Sequence, residues 1–431
     1  MERKIDAGGL TQFYVGVKEQ SPVILLEYTL KEPVDPEKLQ AAAIRATEVF
    51  RLFRVKLALN EKRQPVYLEN GPDPCVYEDD GRPHAFGEES RGYLFRISFR
   101  GCRIRLSIHH MLTDFAGANE FLKYILRCYL HQIDETVAVS KDTISLDPDD
   151  LRDPCELFGN NNAVGYNMAD KWKNELVIPN SMRYRRCETH PCHSFAFPVE
   201  RLLLAARKTD SSVFPLLFWM MATAAAETYG AEDRIVVGRG AANYRPIYGS
   251  RTPLCFAKSF KTVLLPRERS LDLETQLTVQ RFRMDLKLQR RTTDEELAEH
   301  IAYVKQLDGP IEDYVTDQEK LDRERREGEK SSAFFISYPG RTDLPEDIAK
   351  YVDTFYFNSP STRGPLMATA YSWGKDMVVN MNELACEKSI VPAMIGLLEK
   401  YGVESRATGQ YELSYDYYPM EELLRGSGAG A

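Results

Sequence analysis

At 431 residues, 43% hydrophobic and 28% charged, the chain has the composition of a globular protein with a substantial core. Its length corresponds to roughly two to three domain equivalents. A net charge of −8, from 56 basic and 64 acidic residues, argues against a nucleic-acid or anionic-membrane binder. Eight cysteines without a CxxC pair, and an N-terminus that reads Met-Glu-Arg-Lys-Ile-Asp, predict a reduced, cytoplasmic setting. The longest apolar run, Val213 to Ala226, contains Pro215 and is too short to span a bilayer.

Ser21 to Leu30 is a β-rich run and predicts a strand. Asp35 followed by Pro36, alanines and Leu39 predicts a helix capped by the aspartate, with proline in the first turn. Phe50–Leu57 and Gln64–Leu68 read as two strands separated by a turn. Tyr93–Phe99, the turn Arg100-Gly101 and the run to His110 predict a hairpin. In its second strand Cys102, Ile104, Leu106 and Ile108 share one face, and Arg103, Arg105 and Ser107 share the other. Carried through, the apolar row ends in His110 and the polar row in His109. His110 would then enter the interior at a strand end, where a general base could sit. The same pattern also describes a core histidine with a satisfied ring and an aspartate, Asp114, capping the next helix. That helix, from about Gly117, carries Phe121, Leu122, Ile125, Leu126, Tyr129 and Leu130 on one core-packing face.

From Ser140 to Pro179 the periodicity gives way to Asp-Pro, Asn-Asn-Asn and Gly signals, as in a linker. The expected division is a first half at 1–175, a second at 180–425, and a tail, Gly-Ser-Gly-Ala-Gly-Ala, at 426–431. The second half predicts a strand at Phe195–Phe197, a helix from Pro198, a buried helix at 213–229 and a strand from Arg234 running into Asn243-Tyr-Arg245-Pro. A strand at Phe260–Leu265 precedes a mostly helical, highly charged stretch at 270–330, to which no function is assigned. Ala333–Gly340 reads as a strand into a turn, Met367–Asn382 as a hairpin turning at Trp373–Asp376, and Ser389–Lys400 as a last helix. Cys187, His190, Cys192 and His193 cluster, but a second knuckle is lacking, so no metal is expected.

His109-His110-Met-Leu-Thr-Asp114 resembles the HHxxxD signature of acyltransferases related to chloramphenicol acetyltransferase. That superfamily includes peptide-synthetase condensation domains, polyketide-associated acyltransferases and alcohol acetyltransferases, and Ala116–Lys123 looks most like the last. Asn243-Tyr-Arg245-Pro, Cys255–Phe260 and Ser337-Tyr-Pro-Gly340 resemble later segments of the same superfamily. Tyr371–Lys375 is similar to part of the DFGWG motif of plant BAHD acyltransferases, with Ala370 in place of its aspartate. The resemblance implies an α/β fold of two chloramphenicol acetyltransferase-like halves, mixed sheets with flanking helices, set as a V around a central tunnel.

The resemblance further implies that His110 is the general base and that Asp114 and Arg245 form an ion pair supporting the site. His109, Ser337, Asn243 and Phe256 are candidate contacts to substrate or oxyanion. It implies acyl-CoA as co-substrate, a small alcohol or amine as acceptor, no bound cofactor or metal, and a monomer. Lys258, Lys261 or Arg251 could meet a donor phosphate. Two rival readings stand beside it: a condensation-type enzyme working on carrier-protein thioesters, and a silent relative that binds acyl-CoA. The signature's usual next residue is glycine. Here Phe115 follows Asp114 and glycine comes only at 117.

Overall fold

Three sheets and the helices packed on them organise the computed structural model. It describes residues 2–15, 22–159, 174–178, 190–208, 212–307, 309–315, 332–359, 366–383, 388–413, 416–419 and 423–424. The expected tail, the charged run 322–330 and Cys187 lie outside them. Among the described residues no helix is long and apolar enough to cross a membrane.

The strand that carries the signature, Arg103–His109, is the middle strand of the five-stranded sheet. It pairs antiparallel with Val23–Leu30 on one side and with Phe95–Arg100 on the other. The hairpin is as predicted, but the division into a buried and a solvent face is not. Ser107 and His109 are buried along with Ile104, Leu106 and Ile108, because the sheet is covered on both sides. Arg105 is accommodated there by carboxylates, with Glu27 and Asp79 each at 3.0 Å. The strand ends at His109, so His110 is the first residue of the following turn, and it is half-buried.

Local chemistry sets the helix starts. Asp35 accepts from the backbone N–H groups of Glu37 and Lys38 and opens helix Pro36–Val49 as expected. Phe50 and Phe53 are fully buried around a short 3₁₀ turn, Arg51–Phe53. The strand predicted from Phe50 therefore begins only at Val55. It joins Pro65–Glu69 and Glu2–Lys4 in the three-stranded sheet.

The second large sheet has seven strands, with Val236–Asn243, Phe334–Ser337 and Leu366–Trp373 side by side near one edge. The predicted hairpin pairs Leu366–Trp373 with Asp376–Glu383. Helix Val213–Thr228 packs its apolar length into this half. Two hydrophobic cores result, one around each large sheet. The chain crosses between them: Val352–Asn358, from the second half of the sequence, is the edge strand beside Val23–Leu30. Its Asn358 exchanges amide hydrogen bonds with Asn382 of the seven-stranded sheet, at 3.1 and 2.9 Å.

Candidate active site

Where the signature strand ends, the turn is tied from three directions. The His110 N–H donates to the Pro22 carbonyl (2.8 Å), and the Tyr67 hydroxyl donates to the Met111 carbonyl (2.9 Å). The Thr113 hydroxyl donates to the Pro253 carbonyl of the second half (2.6 Å). Asp114 then caps helix Phe115–His131 by accepting from the Ala116 N–H, two residues earlier than the predicted helix start. Gly117 lets this helix press against the second half. A Cβ there would lie 2.1 Å from the Thr113 hydroxyl and 2.3 Å from the Pro253 carbonyl, so any side chain would push the helix and the Pro253 backbone apart.

Asp114 also faces Arg245, and the pair is bidentate: Nη1 to Oδ2 at 2.8 Å and Nη2 to Oδ1 at 2.9 Å. Arg245 spends its remaining donors on the carbonyls of Thr252 and Leu254 and on Asn243 Oδ1. All five N–H groups of the guanidinium thus have an acceptor. The Phe256 N–H adds a fourth bond to Asp114. Burial alone would raise the Asp114 carboxyl, but Arg245, the Phe256 N–H and His110 together hold it below the usual carboxylate range. One carboxylate makes both the cap and the ion pair: Oδ1 accepts from the Ala116 N–H and from Arg245 Nη2, and Oδ2 from Arg245 Nη1 and the Phe256 N–H.

Two cavities meet beside this turn. The larger, about 390 Å³, is lined by Asp114, Phe115, Asn243, Arg245 and residues of helix Phe115–His131. The smaller, about 230 Å³, is lined by Thr11, Gln12, Cys255, Lys258 and His300. His110, Ala241, Ala257, Ser337 and Ser359 line both, so His110 and Ser337 stand at the junction. Phe115 leaves the larger cavity open. Its ring packs 4.5 Å from Phe357 of the crossing strand and forms part of the wall.

The structure thus brings together His110, Asp114, Arg245, Asn243 and Ser337 and leaves two expected contacts aside. The His109 ring points into the first core, near Phe86 and Tyr418, and lines neither cavity. Its Nδ1 accepts from the Met111 N–H (3.1 Å), and burial, then His110, push its pKa down to about 3. His109 is therefore a neutral support of the turn. The Phe256 ring is buried against Phe158, Tyr244 and Tyr248; only its backbone serves the site. Of the basic residues proposed for a phosphate, Lys258 lines the smaller cavity; Lys261 and Arg251 line neither.

Sequence reading missed His300 and gave Cys255 only as the start of a segment resembling the superfamily; both line the smaller cavity. His300 Nε2 lies 3.1 Å from the Ala7 carbonyl and 3.2 Å from the Thr11 hydroxyl, and burial lowers its pKa to about 3. It sits within a charged helix whose composition reads as a solvated face. Its place against helix Ala7–Val15 is a tertiary fact with no local signal.

No family model matches the sequence, and no curated protein resembles it closely enough to be matched. Its fold is nonetheless well represented among solved structures. The epimerization domain from the third module of tyrocidine synthetase B superposes with a TM-score of 0.60 at 15% identity, over 93% of this chain and 96% of that one. The first condensation domain of the CDA synthetase gives 0.60 at 14%, over 93% and 94%. F. graminearum TRI101 complexed with ethyl coenzyme A gives 0.62 at 10%, over 94% and 99%. The chain has the two-lobed α/β fold of condensation domains and chloramphenicol acetyltransferase-like proteins.

Proposed function

We propose that the protein is a cytoplasmic acyltransferase that moves an acyl group from a thioester, acyl-CoA, to a hydroxyl or amine. His110 takes the proton of the acceptor as its oxygen or nitrogen attacks the thioester carbonyl. The tetrahedral intermediate then collapses to ester or amide, and the thiol leaves with the proton. The Ser337 hydroxyl donates to the oxyanion, a contact that can lower a barrier by about 2.7–4 kcal/mol. The observation that carries this reading is the junction itself: a half-buried histidine and two serines, Ser337 and Ser359, among the residues that line both cavities. Two reactants approaching from opposite sides would react there without either leaving the protein. Asp114 and Arg245 hold the turn and take no part in the chemistry. The ethyl coenzyme A in the structure of the neighbour F. graminearum TRI101 supports a CoA donor.

The test is thiol release from a panel of acyl-CoAs with alcohol and amine acceptors, comparing the protein with His110→Ala. We expect acceptor-dependent release that falls about 10²–10⁴-fold in the variant. Release that persists in His110→Ala would remove the histidine from the mechanism. Turnover seen only with carrier-protein thioesters would identify a condensation-type enzyme. Acyl-CoA binding without turnover would identify a silent relative.

A further inference from the structure

The two cavities that meet at His110 differ in charge. Acids and bases are matched along the larger one, where Asp114 pairs with Arg245, Glu120 with Lys123 and Asp343 with Arg341. The smaller is lined by Lys258 and Arg239 and, among the described residues, by no carboxylate. Its volume, about 230 Å³, falls below the pockets of about 300–1,000 Å³ that enclose a drug-sized ligand. What enters it is a short group, and the walls favour a negative one.

Lys258 is placed by strand Ala257–Leu264, three residues after Cys255, whose Sγ lies 3.9 Å from His110 Nδ1. Its ammonium hydrogen-bonds to the Cys155 sulfur, and among the described residues no carboxylate forms an ion pair with it. Burial opposes its charge, but Cys155, Cys255 and Asp153 favour it and hold its pKa above the usual lysine range. Both thiols are themselves pushed up by burial, Cys155 to about 11, and are neutral at physiological pH. Asp153 and Asp6 line a separate pocket with Arg3 and Lys4. A half-buried ammonium whose close neighbours are neutral gains from an anion brought beside it.

We propose that the smaller cavity takes a carboxylate: one reactant carries an acid group a few bonds from its reacting centre, and Lys258 pairs with that acid while the reacting atoms lie at His110. The acid belongs either to the acyl group, as in the half-thioester of a dicarboxylic acid, or to the acceptor, as in a hydroxy or amino acid. Both present the same group to the ammonium. The phosphates of coenzyme A do not fit this place, because the pantetheine arm holds them far from the thioester sulfur, whereas Lys258 and His110 line one small cavity. The inference rests on the reading of the junction as the reaction centre. Selective binding, however, can be measured without any turnover.

The experiment is calorimetric binding to the full chain in two arms. One compares succinyl-CoA with butyryl-CoA; the other compares 3-hydroxybutyrate and β-alanine with their amides. In one arm the acid should bind at least about tenfold tighter than its uncharged counterpart, and that arm names the source. Lys258→Met should erase the preference and Lys258→Arg should keep most of it. Equal affinities for acid and uncharged counterpart in both arms of the native protein would overturn the proposal without any variant. So would a preference that survives in Lys258→Met. Equal weakening of succinyl-CoA, butyryl-CoA and free CoA in that variant would also overturn it, by giving Lys258 to a CoA phosphate. An acid preference that needs Lys258, in a protein that turns over no thioester, would uphold the carboxylate site and defeat the acyltransferase reading alone. Thioester turnover with no acid preference would do the reverse.

Discussion

The two ends of the signature turn are built on opposite principles. At Asp114 every donor and acceptor is used: a buried carboxylate takes two bonds from Arg245 and two from backbone N–H groups, and the guanidinium is saturated in turn. At His110, four residues earlier, the ring is half-buried, lies at the meeting of two cavities, and touches a neutral sulfur on Nδ1. A saturated, charged pair is rigid; the half-buried ring is the group that the proposed reaction asks to carry a proton. The contrast sets a fully bonded support against the group to which the proposed reaction assigns the chemistry.

Breaking the rigid end should give the largest effect on stability. Arg245→Ala leaves Asp114 as an uncompensated buried charge and should cost about 3–5 kcal/mol, read from urea unfolding. Adding Asp114→Ala should recover part of that loss, since the stranded charge goes with it. His110→Ala, by contrast, should unfold within about 1 kcal/mol of the native chain while losing turnover. If the two substitutions destabilise equally, the contrast is wrong. Gly117→Ala tests the contact between the capped helix and Pro253, and overpacking there should cost about 1–3 kcal/mol in the same assay.

His109 sharpens the comparison with its neighbour through pH. Its folded pKa is depressed to about 3, against about 6.5 for an unfolded histidine. Between these values the unfolded chain binds a proton that the folded chain refuses. Stability should therefore be lost as pH falls below about 6.5, by up to about 1.4 kcal/mol per pH unit for this group. His109→Asn should flatten that slope by one histidine's share between pH 6.5 and 4, leaving the part due to His300, whose pKa is depressed in the same direction. An unchanged slope would mean that the His109 ring is not buried neutral. The smallest effect is expected at Phe115. Removing its ring with Phe115→Ala should cost about 0.5–1.5 kcal/mol for the lost pairing with Phe357. It should also widen the larger cavity, measured as improved kcat/KM for bulkier substrates.

Much of this arrangement was legible before any coordinates. The hairpin into His110 and the cap at Asp114 follow from alternation and capping chemistry, and the partnership with Arg245 is what the family resemblance implies. The facing of the two histidines was not legible, because alternation separates two faces only when one of them meets water. Here Ser107 and His109 are as buried as the aliphatic row. The resemblance implies a substrate-side contact at Phe256, but its ring packs into the core and its backbone N–H bonds Asp114. His300 gave no local signal, since it owes its position to packing between helices Ala7–Val15 and Arg290–Gln306, far apart in sequence.

The crossing strand Val352–Asn358 has a consequence for anyone wishing to dissect or recombine the molecule. It supplies the outermost hydrogen-bonding partner of Val23–Leu30 and contributes Phe355 and Phe357 to the first core. A fragment truncated at the linker would leave Val23–Leu30 as a bare, apolar edge, the kind of surface that recruits other chains and aggregates. The halves are therefore not interchangeable cassettes. A chimera that imports a foreign second half must also import, or re-supply, the strand by which that half completes the first.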